Sequence, residues 1–233
     1  MSIIGIFLTS AMVKHALCAL AALLLLAVST SASAQATSRR CEDASINEEQ
    51  PGPACLLAHE SLGRLNVDAV YWSLDKYPSV EAARRDSVKG GSIVKAFGSV
   101  WLLTVGHSAS RPVNGEHVAE VGPISLDKDT SYDAEFLKST FAPGMTAPIH
   151  VHSGPEAFYA VSGDSCLETP DGVQIGRGAG NTMIVRGGPP MLLMALGPEP
   201  RKGFALILHD PALAPTTLVH HWTPKGLCKA AMR

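Results

Sequence analysis

The sequence lacks the features that mark several large classes of protein. It has no basic stripe and no alternation of basic with aromatic residues, and 21 Asp and Glu outnumber 19 Lys and Arg. We therefore expect no nucleic acid partner. No internal repeat is convincing. No two of the five cysteines have a C-x-x-C or zinc-site spacing, so neither kind of site is predicted.

The N-terminal region has no apolar run long enough to span a bilayer. Residues 16–28 are unbroken and apolar but too short for a spanning helix. They follow Lys14 and His15 and precede small residues that form A-x-A-like cleavage sites. This order predicts a signal peptide over residues 1–34 and a periplasmic or secreted protein, with no membrane association after cleavage. An uncleaved N-terminal anchor is the alternative, and the start at Met1 or Met12 stays open.

Four cysteines remain after cleavage, in a mature chain of about 200 residues that can form one core. An even number of cysteines in an exported protein predicts two disulfides. Cys41 and Cys55 flank a Pro-Gly-Pro turn, which favours a local bridge and leaves Cys166 to pair with Cys228. A bridge between Cys55 and Cys228 is the alternative.

Short apolar segments separated by Gly and Pro turns dominate the rest of the chain. The one helix predicted covers residues 80–86, with Pro and Ser at its start. Many strands and few helices predict an all-β barrel or sandwich. The strands are expected at residues 67–74, 93–97, 99–106, 117–124, 132–141, 157–161, 183–185, 191–196 and 204–209, with a hairpin around the D-G turn of residues 164–177. Residues 54–64 could form a short strand or a helical turn.

The segment from Gly144 to Gly163 contains the clearest site. His150 and His152 are two apart, so in a strand their imidazoles point to the same face. The Ser-Gly-Pro sequence that follows is typical of a turn, and it would bring Glu156 back beside the histidines. Two histidines and one carboxylate with open positions suit Fe(II), and Mn, Ni or Zn can use them.

Five positions of this segment fit the first motif of the cupin superfamily, G-x5-H-x-H-x3-E-x6-G. They are Gly144, His150, His152, Glu156 and Gly163. The chain resembles a cupin over residues 132–210. The resemblance implies an antiparallel, jelly-roll-like β-barrel in which the two histidines and the glutamate bind a divalent metal, with Fe(II) or Mn(II) favoured and Ni(II) or Zn(II) as alternatives.

The second cupin motif, G-x5-P-x-G-x2-H-x3-N, is only partly matched. Gly180 and Gly188 fit, but Met191 stands where the family has its metal-binding histidine. A thioether is a soft ligand, poorly suited to hard metals, so Met191 is only a candidate for the fourth position. Arg186 replaces the motif's proline. It could bind a carboxylate substrate, and a surface arginine is the alternative.

These observations predict a domain organisation and a function. We expect an exported protein that binds a divalent metal and acts on a small oxyanionic substrate as an oxygenase or isomerase. The alternative is a non-catalytic periplasmic module that binds a small molecule or a metal. A homodimer is compatible with either. The predicted parts are a signal peptide (1–34), an exposed arm (35–61), N-terminal strands and one short helix added to the barrel (62–131), the cupin barrel core (132–210) and a C-terminal tail (211–233).

Two further histidine features lie outside the motif. His209 ends an apolar strand and could be a substitute ligand or a proton carrier, although a hydrogen-bonded histidine at a strand end is the simpler interpretation. His220 and His221 are adjacent in the tail, where packing is the simpler interpretation.

Overall fold

The computed structural model describes residues 35–36, 39–41, 51–107 and 114–232. The predicted signal peptide, residues 1–34, lies outside the described residues, as does most of the segment 37–50. The described residues all belong to one compact unit. Within the described part of the chain, neither helix has the length and apolar character needed to cross a membrane.

The regular secondary structure of the described residues is nearly all β-strand, as predicted. The helices are α1 (Val80–Asp86) and α2 (Leu227–Ala230). The strands are β1 (Gln35–Ala36), β2 (Gly52–Arg64), β3 (Ala69–Tyr77), β4 (Gly91–Ala96), β5 (Ser99–Gly106), β6 (Glu116–Ser125), β7 (Ser131–Phe141), β8 (His150–Val151), β9 (Glu156–Ser162), β10 (Asp164–Thr169), β11 (Gly172–Gly176), β12 (Thr182–Val185), β13 (Leu192–Leu196), β14 (Arg201–His209) and β15 (Thr216–Leu218).

The strands form an antiparallel barrel of two layers. One layer is a five-stranded sheet in the order β12-β9-β14-β7-β2. The other combines two three-stranded sheets, β11-β10-β13 and β1-β15-β8, which are joined by bridges between Thr146 and Met194 and between His150 and Met191. Apolar side chains from both layers, such as Phe158 and Leu193, pack together inside the barrel.

The four N-terminal strands form a separate sheet in the order β4-β5-β3-β6. This sheet packs on the outer face of the five-stranded sheet, and the two share the largest core of the molecule. Strand β14 contributes side chains to both the outer core and the barrel interior, because successive side chains of a strand point to opposite faces of the sheet. Phe204 and Leu206 enter the outer core, whereas Ala205 and Ile207 face the barrel interior.

Residues 52–61 are not part of an exposed arm, which corrects the sequence-based expectation. They belong to β2, which pairs with β7 along 13 residues and buries Cys55 and Leu56. The pairing has three irregularities, between Gly52 and Cys55, between Leu56 and Ala58 and beyond Ser61. Each bulge reverses which side chains face the core, so the sequence of β2 loses the alternation that identifies a strand.

The C-terminal tail is fastened to the barrel at two points. Strand β15 pairs with β8, and Cys228 in α2 is bonded to Cys166 in β10. The second disulfide joins Cys41 to Cys55. Both favoured pairings are confirmed, and the alternative bridge between Cys55 and Cys228 is wrong.

Candidate metal centre

The hairpin around Gly154 brings the three motif side chains together. His150 lies in β8, His152 follows it, and Glu156 begins β9 after the turn. Gly154 packs against the backbone of β14, where a Cβ atom would clash with the carbonyl oxygen of Leu208. Only glycine permits this close approach, which lets Glu156 return beside the histidines.

The ligand atoms of these three residues converge on one point. His152 Nε2 lies 3.1 Å from Glu156 Oε2, and His150 Nε2 lies 4.0 Å from the same oxygen. One ligand atom from each residue lies within 4.8 Å of the other two. Because metal–nitrogen and metal–oxygen bonds are about 2.1 Å long, one ion could contact all three after a small movement.

Hydrogen bonds to the backbone orient both imidazoles. His150 Nδ1 donates to the carbonyl oxygen of Pro148 over 2.7 Å, and His152 Nδ1 donates to that of Pro215 in the tail. A carbonyl oxygen only accepts, so Nδ1 carries the proton and Nε2 faces Glu156. A metal-binding histidine is normally held in this way, so the residues present fit a divalent ion.

The two histidines differ in their affinity for a proton. Burial, followed by the charge of His152, lowers the pKa of His150. Burial also disfavours the charged form of His152, but the charge of Glu156 and the hydrogen bonds to Glu156 and Pro215 outweigh burial and raise the pKa of His152. Glu156 therefore favours the protonated form of His152, and a cation bound by these side chains would have to displace that proton.

A cavity of about 330 Å³ opens beside these side chains. Its walls are largely apolar and include Phe158, Leu193 and Ile207. This volume is within the range of small-molecule sites. A larger depression of about 650 Å³ lies on the four-stranded sheet, but its lining contains no histidine. The smaller cavity is therefore the better candidate for a functional site.

Arg201 supplies a positive charge to the wall of this cavity, and the sequence analysis missed it. The side chain is 1% exposed. Its Nε donates to Ser165 Oγ over 3.1 Å and its Nη1 to Ser139 Oγ over 2.9 Å. Its Nη2 is buried without a hydrogen-bond partner among the described residues. Burial lowers the pKa of Arg201 to about 10, against the effect of Glu156, so the group stays charged at neutral pH.

Two of the predicted site residues lie elsewhere. Arg186 is on the surface, where its side chain is 71% exposed and pairs with Asp171 at 3.1 Å. This position does not support the predicted role of Arg186 in substrate binding. Met191 is opposite His150 on the neighbouring strand, and its backbone N–H donates to the carbonyl oxygen of His150. Its side chain is buried among apolar neighbours and is not part of the cavity lining.

The other three histidines that the sequence analysis considered also lie outside the cavity. His209 is buried at the end of β14, and His220 and His221 are exposed in the tail. None of these residues is part of the cavity lining. His209 does, however, belong to a second group of metal-ligating side chains, with His59 and Asp133.

Comparison with known proteins gives structural neighbours but no sequence relatives. No protein-family model and no curated protein matches the chain. Oxalate oxidase in complex with the substrate analogue glycolate is similar at 19% identity and a TM-score of 0.32, over 37% of this chain and 46% of that one. A cupin-like protein from Thermotoga maritima is similar at 16% identity and a TM-score of 0.36, over 42% and 72%.

A third neighbour is an uncharacterized conserved protein with a double-stranded β-helix domain from Klebsiella pneumoniae. It is 24% identical, with a TM-score of 0.32, over 47% of this chain and 90% of that one. The similarity covers less than half of the oxalate oxidase chain. These similarities concern the fold alone.

Proposed function

We propose that this chain, a cupin by its five motif positions and its antiparallel barrel, binds a divalent metal ion and a small organic anion side by side. The metal would be held by His150, His152 and Glu156. The observation that carries the proposal is the convergence of these three ligand atoms beside a cavity that also presents the buried cation Arg201. The chemistry of each group supports one part of the function.

The ligand set favours Fe(II) or Mn(II), with Ni(II) or Zn(II) as alternatives. Once the proton of His152 is displaced, both histidines present neutral Nε2 atoms to the ion, and Glu156 offsets part of the charge of the ion. Because Met191 is a soft ligand whose side chain packs in an apolar cluster, we propose three protein ligands rather than four. A divalent ion bound there supplies Lewis-acid chemistry, polarising an oxygen atom of the substrate.

Arg201 indicates the chemical class of the substrate. A buried guanidinium whose Nη2 amino group has no hydrogen-bond partner among the described residues is costly, and an anionic oxygen would satisfy it. Ser165 and Ser139 accept hydrogen bonds from Nε and Nη1, so Nη2 has a fixed position. The apolar walls accommodate a small organic body and exclude bulk water, which strengthens the charge interactions. A carboxylate or another small oxyanion fits these features.

We propose an oxygenase or isomerase reaction on this anion. The chain's own residues would bind the anion at Arg201, orient it beside the ion and keep water out. The alternative is a module that binds its ligand without turnover. The cupin fold hosts both kinds of protein, so the fold does not choose between them.

We also propose that the protein is exported and cleaved. Its two disulfides are typical of proteins from an oxidising compartment. The predicted cleavage sites give a mature N-terminus near Gln35 or Thr37. N-terminal sequencing of protein from the envelope fraction and the medium tests this, and an intact Met1 or Met12 would contradict it.

Metal titration tests the central claim. Untagged mature protein is stripped with a chelator and titrated by calorimetry under anaerobic conditions with Fe(II), Mn(II), Ni(II) and Zn(II). His150→Ala and Glu156→Ala should each weaken binding at least tenfold. His221→Ala removes an exposed histidine and serves as the matched control. If wild type binds no metal more tightly than the two site variants, the enzyme proposal fails and the metal-free binding module remains.

A further inference from the structure

A second group of metal-ligating side chains lies on the sheet that also carries Glu156. His59 in β2, Asp133 in β7 and His209 in β14 are on three adjacent strands. His209 is directly opposite Asp133 in the register of the sheet, and His59 is two residues from the partner of Asp133 on the other side. One ligand atom from each residue lies within 4.8 Å of the other two.

This group is distinct from the cavity. None of its three residues is part of the cavity lining, which ends on β14 at Ile207, two residues before His209. The two groups also differ in exposure. The side chains of His150 and Glu156 are 12% and 6% exposed, whereas that of His59 is 37% exposed. An ion could therefore reach the second group from solvent without passing through the cavity.

The hydrogen bonding of His209 points to a ligand. Its Nδ1 lies 3.0 Å from the carbonyl oxygen of Asp210, which can only accept, so Nδ1 carries the proton. Its Nε2 therefore presents a lone pair. This nitrogen is buried without a hydrogen-bond partner among the described residues, in a side chain that is 5% exposed overall. Leaving a buried acceptor unsatisfied costs free energy, and a cation would use its lone pair.

The other two residues complete a ligand set. His59 Nε2 and Asp133 Oδ2 are 3.0 Å apart, which is a normal separation for two ligands of the same ion. A backbone carbonyl fixes the tautomer of His209, as is usual for metal-bound histidine. Two imidazoles and one carboxylate suit Zn(II), which takes three protein ligands and a water molecule at sites open to solvent.

We propose that His59, Asp133 and His209 bind a second divalent transition-metal ion, such as Zn(II), outside the barrel cavity. The ion would join three adjacent strands and hold the edge strand β2 to β7 and β14. It would therefore stabilise the fold without contacting the cavity ligand. The competing interpretation is a surface ion pair between His59 and Asp133, beside a histidine whose free nitrogen binds water.

Zinc stoichiometry separates the two interpretations. Untagged, chelator-stripped protein is dialysed against a low micromolar zinc buffer, and bound zinc is measured by mass spectrometry. Wild type should bind one more equivalent than His59→Ala and than Asp133→Asn. His59 is exposed, so its variant should fold normally, and circular dichroism checks this. His221→Ala, the substitution of another exposed histidine, should leave the stoichiometry unchanged.

Glu156→Ala makes this test independent of the proposed cavity metal. In that background, His59→Ala should remove the zinc that remains, whether or not the cavity binds metal. Zinc should also raise the melting temperature of Glu156→Ala, but not that of the double variant, because an ion that binds only the folded state stabilises it. Equal zinc stoichiometry in wild type, His59→Ala and Asp133→Asn would overturn the proposal.

Discussion

At the scale of single residues, Arg201 should determine whether the cavity binds an anion. Arg201→Met keeps much of the side chain's volume but removes its charge. The probes are acetate, malonate and succinate, each tested on the Mn(II)-loaded protein. For the one that wild type binds most tightly, we expect the affinity to fall about 10- to 100-fold, since hydrogen bonds to charged groups contribute about 1.5–3 kcal/mol. Calorimetry measures the loss, and circular dichroism checks the fold.

Arg186→Met is the matched control for this prediction. Arg186 is the arginine that the motif comparison named as a possible substrate ligand, and it lies on the surface paired with Asp171. Its substitution should leave carboxylate binding unchanged. Equal losses in Arg186→Met and Arg201→Met, or none in either, would contradict the assignment of the anion site to Arg201.

The affinity for metal should depend on pH through His152. The pKa of His152 is raised in the metal-free protein, so its proton competes with the ion at pH values above the usual 6.5 of histidine. As pH falls through this raised pKa, the affinity for metal should therefore drop by up to about tenfold per pH unit for each proton displaced. His150, whose pKa is lowered, should compete only in more acidic solution.

Mn(II) titrations between about pH 5.5 and 8.5 measure this dependence. Glu156→Gln should shift the midpoint of the curve to lower pH, because the carboxylate that raises the pKa of His152 is gone. The affinity of Glu156→Gln should also be lower throughout, since one ligand is weaker. An affinity that stays constant across this range would argue against histidine ligands.

The candidate site could be predicted from the sequence only where its residues are close along the chain. His150, His152 and Glu156 lie within one hairpin, so their spacing alone indicates that they meet. Arg201 could not be found in this way, because its partners Ser139 and Ser165 are distant in sequence and meet it only through strand pairing.

At the scale of elements, local sequence signals decided what could be predicted: a capping residue for the helix, and the alternation of apolar and polar residues for the strands. Helix α1 was predicted with its observed bounds because Ser79 caps it, accepting a hydrogen bond from the N–H group of Ala82. Residues 54–64, most of strand β2, could not be assigned to a strand or a helical turn, because the bulges of β2 break the alternation of buried and exposed side chains. The strand begins beside Pro51 and Pro53, which further weaken a strand signal, although proline is compatible with the edge of a sheet, where β2 lies.

The two disulfides should differ in their contribution to stability. The Cys41–Cys55 bridge closes a segment with a sequence separation of 14, and the Cys166–Cys228 bridge one of 62. Loop-closure entropy predicts about 3 kcal/mol for the first and about 4 kcal/mol for the second. The Cys166→Ala/Cys228→Ala variant should therefore unfold at lower urea concentration than Cys41→Ala/Cys55→Ala.

Glu168 should make this difference larger. Its carboxylate accepts hydrogen bonds from the backbone N–H groups of Gly226 and Cys228, at 3.0 and 3.2 Å. If α2 detaches when the disulfide is absent, these hydrogen bonds are lost as well, which lowers the stability of that variant further. Equal urea midpoints for the two double variants would contradict the predicted ranking.

At the scale of the whole molecule, the N-terminal sheet was predicted only as an addition to the barrel. Nothing in the sequence of residues 62–131 showed that their strands stack on a sheet of the barrel instead of extending it. Stacking is decided by the face that each strand buries, and both faces of β7 and β14 are buried. A pattern of apolar residues indicates that one face of a strand is buried, but it does not identify the sheet against which that face packs.

The shared core between these sheets should make them unfold together. Phe204 of β14 is fully buried and packs edge-on against Phe97 and Trp101 of the N-terminal region, with ring centroids 5.1 Å apart in both cases. Phe204→Ala removes these contacts and leaves a cavity, so we expect the free energy of unfolding to fall by about 3–5 kcal/mol.

Two probes can show whether this loss is felt throughout the molecule. Trp72 and Trp101 both belong to the N-terminal sheet, so tryptophan fluorescence reports mainly on that sheet, whereas far-ultraviolet circular dichroism reports on all strands. If the two sheets form one cooperative unit, both signals should give the same urea midpoint in wild type, and Phe204→Ala should lower both by the same amount. Val173→Ala, on an exposed part of β11, is the control and should change neither. A fluorescence transition that precedes the dichroism transition in wild type would show that the N-terminal sheet unfolds separately, in spite of the core that it shares with the barrel.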